Sequence, residues 1–240
     1  MVFLLCMVLF AKSQQPKIVR PQTPVGPFPY TIDSLVYHAP GDSVQYGVTI
    51  TKPNGKGPFP AIVLITGSGS QDRDETIMNH KPFAVLADFL TKQGYLVMRV
   101  DDRGVGLSGG DPAKSTSYDF AVDVHHHVDY LLTRKDVNPK KIGLLGHSEG
   151  GLIAPIVASE RKDLAFLILL AGPGIPIARL MAEQNEAILR SNGIDSIAAA
   201  SYGDFFSRAM PKVAQAKDTA AAKAVLLDDL KEWSAKENPN

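Results

Sequence analysis

Thiol chemistry is almost missing from this 240-residue sequence, whose one cysteine is Cys6. Beyond that residue no disulfide, cysteine-based metal site or cysteine nucleophile is available. An excess of either charge is missing as well: 25 Lys and Arg face 25 Asp and Glu. A neutral balance argues against the basic footprint of a nucleic-acid binder, so no nucleic-acid partner is expected. Long apolar runs are scarce. Residues Met1 to Ala11 form the main one, and at 1.5 Å rise they cover only about half of a ~30 Å hydrocarbon core, so no stable membrane span is expected.

That run ends in Ala11-Lys12-Ser13, a small-x-small pattern. It reads as a signal peptide over residues 1–13, cleaved after Ser13, with export to the periplasm or the exterior. No Lys or Arg precedes the apolar residues, so a start upstream of Met1 stays open. The remainder is ordinary for a globular protein, at 45% hydrophobic and 21% charged residues overall.

After a proline-rich entry, Thr31 to His38 and Ser43 to Thr51 alternate as an antiparallel edge would. Ala61 to Ile65, Tyr95 to Val100, Ile142 to Leu145 and Phe166 to Leu170 are short apolar runs of the kind that form buried parallel strands. Helical stripes separate them. Phe83, Leu86, Ala87 and Leu90 mark one, closed by Gly94; Phe120, Val124, Val128 and Leu131 mark another, opened by Ser117 or Asp119; a third runs from Glu149 to about Ser159 across Pro155. The alternation predicts an α/β core with a mostly parallel sheet flanked by helices over residues 14–172. Residues 173–240 change character: Pro176 starts a helix, Asn192-Gly193 ends it, and Ala-rich helical patterns run on through Trp233.

Chemistry concentrates at Gly146-His147-Ser148-Glu149-Gly150, a G-x-S-x-G placed between a predicted strand and a predicted helix. Glycines flank the serine at two residues' distance because such a sharp turn leaves no room for Cβ atoms. The turn lifts the hydroxyl of Ser148 above the sheet and aims a helix N-terminus at it. An acyl-transfer intermediate needs two backbone donors. The N–H of Glu149 supplies one, and the turn Thr66-Gly67-Ser68-Gly69 supplies the other, with Ser68 first and Gly69 next.

Other clusters are weaker. Gly104-Val105-Gly106-Leu107-Ser108-Gly109 matches G-x-G-x-x-G, but Asp111-Pro112 prolongs the loop where a dinucleotide site needs a helix. His125-His126-His127 steps by 100° per residue round a helix, so the three cannot share a metal and a solvated face is expected. Asp72, Arg73 and Asp74, like Asp101, Asp102 and Arg103, sit on loops at strand C-terminal ends. They form a possible substrate-side loop or, as the favoured reading, an ion-pair network bracing the two loops.

The segments Gly67 to Glu75, Asp101 to Gly109, Gly146 to Gly151 and Ala171 to Gly174 together resemble secreted bacterial α/β-hydrolase esterases related to the serine aminopeptidases. The resemblance implies an α/β-hydrolase fold with an inserted helical cap, carboxylic ester hydrolysis of small-molecule esters without metal or cofactor, and triad partners in the order Ser, Asp, His. Here the sequence departs from it. The six histidines are His38, His80, His125, His126, His127 and His147, and none follows Ser148. The expectation is therefore a fragment, truncated within its cap and inactive as it stands. His80 is the outside candidate for a base, and His147 is expected to point away from Ser148. Rival readings are a serine aminopeptidase or acyltransferase, and a secreted binding module that has lost catalysis.

Overall fold

The computed structural model describes residues 20–237; the expected leader, residues 1–13, lies outside the described residues. Six strands form one sheet: β1 (Tyr30–His38), β2 (Gln45–Pro53), β3 (Phe59–Ile65), β4 (Leu96–Val100), β5 (Val137–His147) and β6 (Leu164–Leu170). Their order is β1-β2-β4-β3-β5-β6. β1 and β2 run antiparallel to each other, β2 runs antiparallel to β4, and β4, β3, β5 and β6 are mutually parallel.

Alternation along the strands divides the core in two. Val48, Ile50, Val63, Met98 and Leu144 point to the face covered by α2 (Ser117–Leu132) and α3 (Gly150–Glu160). Ile62, Leu64, Val97 and Leu145 point to the face covered by α1 (Pro82–Lys92), where Phe83 and Ala87 are buried. Period-2 strands carrying apolar residues on both faces need helices on both sides, and the three crossover helices supply them.

Two expectations need correction. The cap of α2 is Thr116, whose hydroxyl faces the Asp119 amide while the Asp119 carboxylate accepts the Thr116 N–H at 2.7 Å. This reciprocal box puts the cap one residue before the expected Ser117 and three before Asp119. The run Phe166 to Leu170 is a strand but not a buried one, because β6 has a hydrogen-bonded neighbour on one side only and exposes Leu167 and Leu169. An unbroken apolar run predicts the strand, not its place in the sheet order.

A second compact unit begins at Ala171. It contains α4 (Ile177–Ser191), α5 (Ser196–Ala214) and α6 (Thr219–Glu237), and among the described residues no strand follows Leu170. Asp195 caps α5 through the amides of Ile197 and Ala198. Trp233 of α6 packs on Tyr202 and Phe205 of α5 and donates its indole N–H to the Ser201 hydroxyl at 2.9 Å.

Candidate active site

Ser148 stands between β5 and α3 with φ of +52°. A non-glycine residue in the left-handed region is strained by of order 1–3 kcal/mol and persists only where its surroundings over-determine it. Here they do. The Ser148 amide donates to the Leu170 carbonyl at 2.9 Å, and the Ser148 carbonyl accepts from Gly151 N–H at 2.9 Å. A Cβ on Gly146 would overlap the Gly150 backbone, and one on Gly150 would overlap the carbonyl of Ile65 at the end of β3. Both glycines are therefore demanded by close approach of main chain to main chain.

Glu149 occupies the N-cap of α3, and its side chain accepts from the Ser117 hydroxyl at 2.6 Å. Its amide has no protein acceptor among the described residues, which suits the oxyanion role expected of it.

The facing turn is held by side chains. Asp102, after β4, takes the Thr66 hydroxyl at 2.6 Å on one carboxyl oxygen and the Gln71 amide at 2.9 Å on the other. Glu75 takes the Gly67 amide at 2.7 Å. A Cβ on Gly67 would lie 3.2 Å from that of Ser148, so turn and elbow are in close apposition. Ser68 and Gly69 follow directly, exposed, with Gly69 at φ of +95°. Neither amide donates to a protein acceptor among the described residues.

Burial pushes the Asp102 carboxyl up to about 7; the Thr66 and Gln71 hydrogen bonds pull the other way, and the acids Glu75 and Asp123 add to the rise. Asp101 behaves oppositely. Burial would raise it, but the Arg73 guanidinium and the amides of Leu107 and Arg73 hold it below the usual carboxylate range.

Arg73 grips Asp101 with Nε at 2.9 Å and Nη2 at 2.5 Å, and gives Nη1 to the Thr49 hydroxyl at 2.9 Å. Asp72 accepts the amides of Asp74 and Thr76 on one oxygen. Arg73 thus braces the loop after β3 against the loop after β4, as the ion-pair reading expects, while Asp72 braces its own loop. Gly106 has a related purpose. A Cβ on Gly106 would overlap the Asp101 carboxylate, whose Oδ2 also accepts the Leu107 amide at 3.0 Å. The loop folds round a buried carboxylate, and no helix opens within it to receive a phosphate.

The histidines separate cleanly. His147 gives or shares its Nδ1 with Glu75 at 2.7 Å, and His80 sits with Gln22 at 2.5 Å. His125 meets Glu160 at 2.8 Å and His126 meets Asp42 at 3.4 Å. His127 is not on a solvated face. It is buried against Tyr37, whose hydroxyl lies 2.6 Å from Nδ1, and burial pushes it down to about 3. The helix face that carries it is the one that covers the sheet, which the stepping argument left out. Among the described residues no group of three or more His, Cys, Asp or Glu is placed to hold a metal, and no helix is long and apolar enough to cross a membrane.

Sequence reasoning missed Glu75 and the division of labour between the two neighbouring acids, Asp101 and Asp102. The available signal was their position at strand ends, which identifies a loop edge but not which oxygen meets which amide.

The chain is similar to known proteins. Esterase EstD of Thermotoga maritima is 37% identical over 148 residues, 61% of this chain and 35% of that protein. The uncharacterized protein YfhR of Escherichia coli O157:H7 is 27% identical over 146 residues, 60% of this chain and 48% of that one. The chain therefore spans a third to a half of the length of these relatives. Among solved structures, an esterase of Pyrococcus furiosus superposes with a TM-score of 0.55 at 23% identity, over 80% of this chain and 68% of that one. An α/β hydrolase from Penicillium gives 0.51 at 21% identity, over 69% and 56%. These superpositions give the fold, which is that of the α/β-hydrolases. Residues 78–224 match the family model described as serine aminopeptidase, S33, and since that is more than half of the 240 residues, the chain belongs to this family of α/β-hydrolases.

Proposed function

We propose that this chain carries the nucleophile and oxyanion site of a serine-dependent carboxylic ester hydrolase. The observation that supports it most is Ser148 at φ of +52°, set between Gly146, which lies against the Gly150 backbone, and Gly150, which lies against the end of β3. Ser148 Oγ attacks the ester carbonyl carbon and its proton passes to a base. The carbonyl oxygen becomes an oxyanion beside the amides of Glu149 and of Ser68 or Gly69. Collapse expels the alcohol, protonated by the same base, and water then hydrolyses the acyl-serine by the reverse sequence. A positioned serine hydroxyl without a base is a weak nucleophile, and the histidine adjacent to it is engaged by Glu75. The base and its acid partner are therefore assigned to residues outside the 240, and the helices after Ala171 to a cap. Residues 1–13 export the protein in this reading.

Aminopeptidase chemistry is the second reading, supported by the family description. The same nucleophile would attack an amide carbonyl and expel an amine. Comparison of p-nitrophenyl esters with aminoacyl p-nitroanilides separates the two.

A fluorophosphonate probe applied to the complete protein should modify Ser148, located by peptide mass spectrometry. Modification that survives in Ser148→Ala would refute the assignment.

A further inference from the structure

Glu75 is 5% exposed, takes φ of +51° and lies far in sequence from the nucleophile. Burying a carboxylate costs several kcal/mol unless donors satisfy it. Its partners belong to two different elements. One oxygen, Oε1, lies 2.7 Å from the Gly67 amide at the end of β3 and 2.7 Å from His147 Nδ1 at the end of β5. The loop that presents it is itself fixed: its amide donates to the Asp72 carbonyl at 2.8 Å, the Phe83 amide donates to the Asp74 carbonyl at 3.1 Å, and Asp74 pairs with Arg99 and, at 3.0 Å, with Lys81.

We propose that Glu75 is a positioning residue that clamps the oxyanion turn to the nucleophile elbow through a single carboxyl oxygen. The proposal rests on the ester hydrolase reading for its consequence, but its geometry stands apart from it. Two effects follow from the shared oxygen. The Gly67 amide is consumed by the clamp, so the peptide plane between Thr66 and Gly67 is held and the next two amides, Ser68 and Gly69, are the ones left for a developing oxyanion. The imidazole of His147 is fixed with a proton on Nδ1 toward Glu75, which ties the residue preceding Ser148 to the opposite turn. The arrangement also explains Gly67. A Cβ there would come within 3.2 Å of Glu75 Oε1, 3.2 Å of Ser148 Cβ and 3.3 Å of His147 Nδ1, crowding every partner of the clamp.

The test uses the full chain with 15N labelling, comparing wild type, Glu75→Gln and Glu75→Ala. Wild type should show an imidazole Nδ1–H resonance for His147 and a Gly67 amide slow to exchange. Glu75→Gln retains an acceptor oxygen and should keep both, with the Ser68 and Gly69 amides near their wild-type shifts. Glu75→Ala should lose both and move those amides. If the alanine variant does not fold, Glu75→Asp takes its place, since it keeps a carboxylate but is one methylene too short to reach both donors. A His147 without a proton on Nδ1 in wild type, or Gly67 to Gly69 amides unmoved in the alanine or aspartate variant, would overturn the clamp. In the complete protein, loss of the clamp should slow fluorophosphonate modification of Ser148 by about tenfold, less than the ~10²–10³ of a deleted oxyanion donor, with the glutamine variant restoring it. Failure of wild type to be modified at Ser148 would count against the hydrolase reading, and the resonance arms would still decide the clamp.

Discussion

The elbow at Ser148 and the turn that faces it meet in the same place but are held by different forces. Steric contact shapes the elbow: Gly146 and Gly150 let main chain lie against main chain. Carboxylates fix the turn, with Asp102 on Thr66 and Gln71 and Glu75 on Gly67. A steric device is all-or-none and indifferent to pH. One made of buried acids is graded and responds to proton activity. The proposed nucleophile is thus held by close packing of main chain, and the proposed oxyanion donors by hydrogen-bonded carboxylates.

The largest expected effect breaks the steric side. Gly150→Val puts side-chain carbons into the Ile65 and Thr66 carbonyls, and backbone at the end of a central strand cannot yield as a side chain would. Destabilisation should reach at least about 3 kcal/mol, read as a lower urea midpoint or failure to fold. A variant with a wild-type midpoint would show that the elbow is not closed by contact.

A smaller, pH-dependent effect sharpens the carboxylate side. Asp102 has its folded value raised from 3.8 to about 7, so between these the folded state binds more protons than the unfolded one and stability falls as pH rises. His127 is shifted the other way, from 6.5 down to about 3, so the unfolded state binds more protons and stability rises over that range. The two oppose each other between roughly pH 4 and 6.5. Asp102→Asn removes the falling contribution, so the variant's urea midpoint should climb with pH across this window more steeply than wild type's. Parallel curves would remove the buried Asp102 from the account.

The same contrast explains what could be read from the residues alone. Gly-x-Ser-x-Gly is legible because its steric cause is local: the two glycines needed by the turn are two residues from the serine. The alternation of apolar runs revealed the strands and crossover helices, since each buried face writes its own period into the sequence. The carboxylate braces were not legible. Asp102 lies 36 residues from Thr66 and Glu75 lies 72 from His147, and only the fold brings them together. His127 was misplaced for a similar reason, since its burial depends on Tyr37 of β1 lying 90 residues away. Leu167 and Leu169 show the opposite failure, where local apolarity suggested burial that the sheet order does not provide.

The most direct test of the central claim, that Ser148 is a poised nucleophile whose base is not among residues 1–240, is hydrolysis of p-nitrophenyl acetate and butyrate by the purified chain beside Ser148→Ala. Loss of a triad histidine costs on the order of 10⁶-fold in turnover, so the chain and its variant should both stay far below about one turnover per second, the low end of ordinary enzymes. Turnover at about that rate or faster, abolished by Ser148→Ala, would contradict the account by placing a working base within these residues.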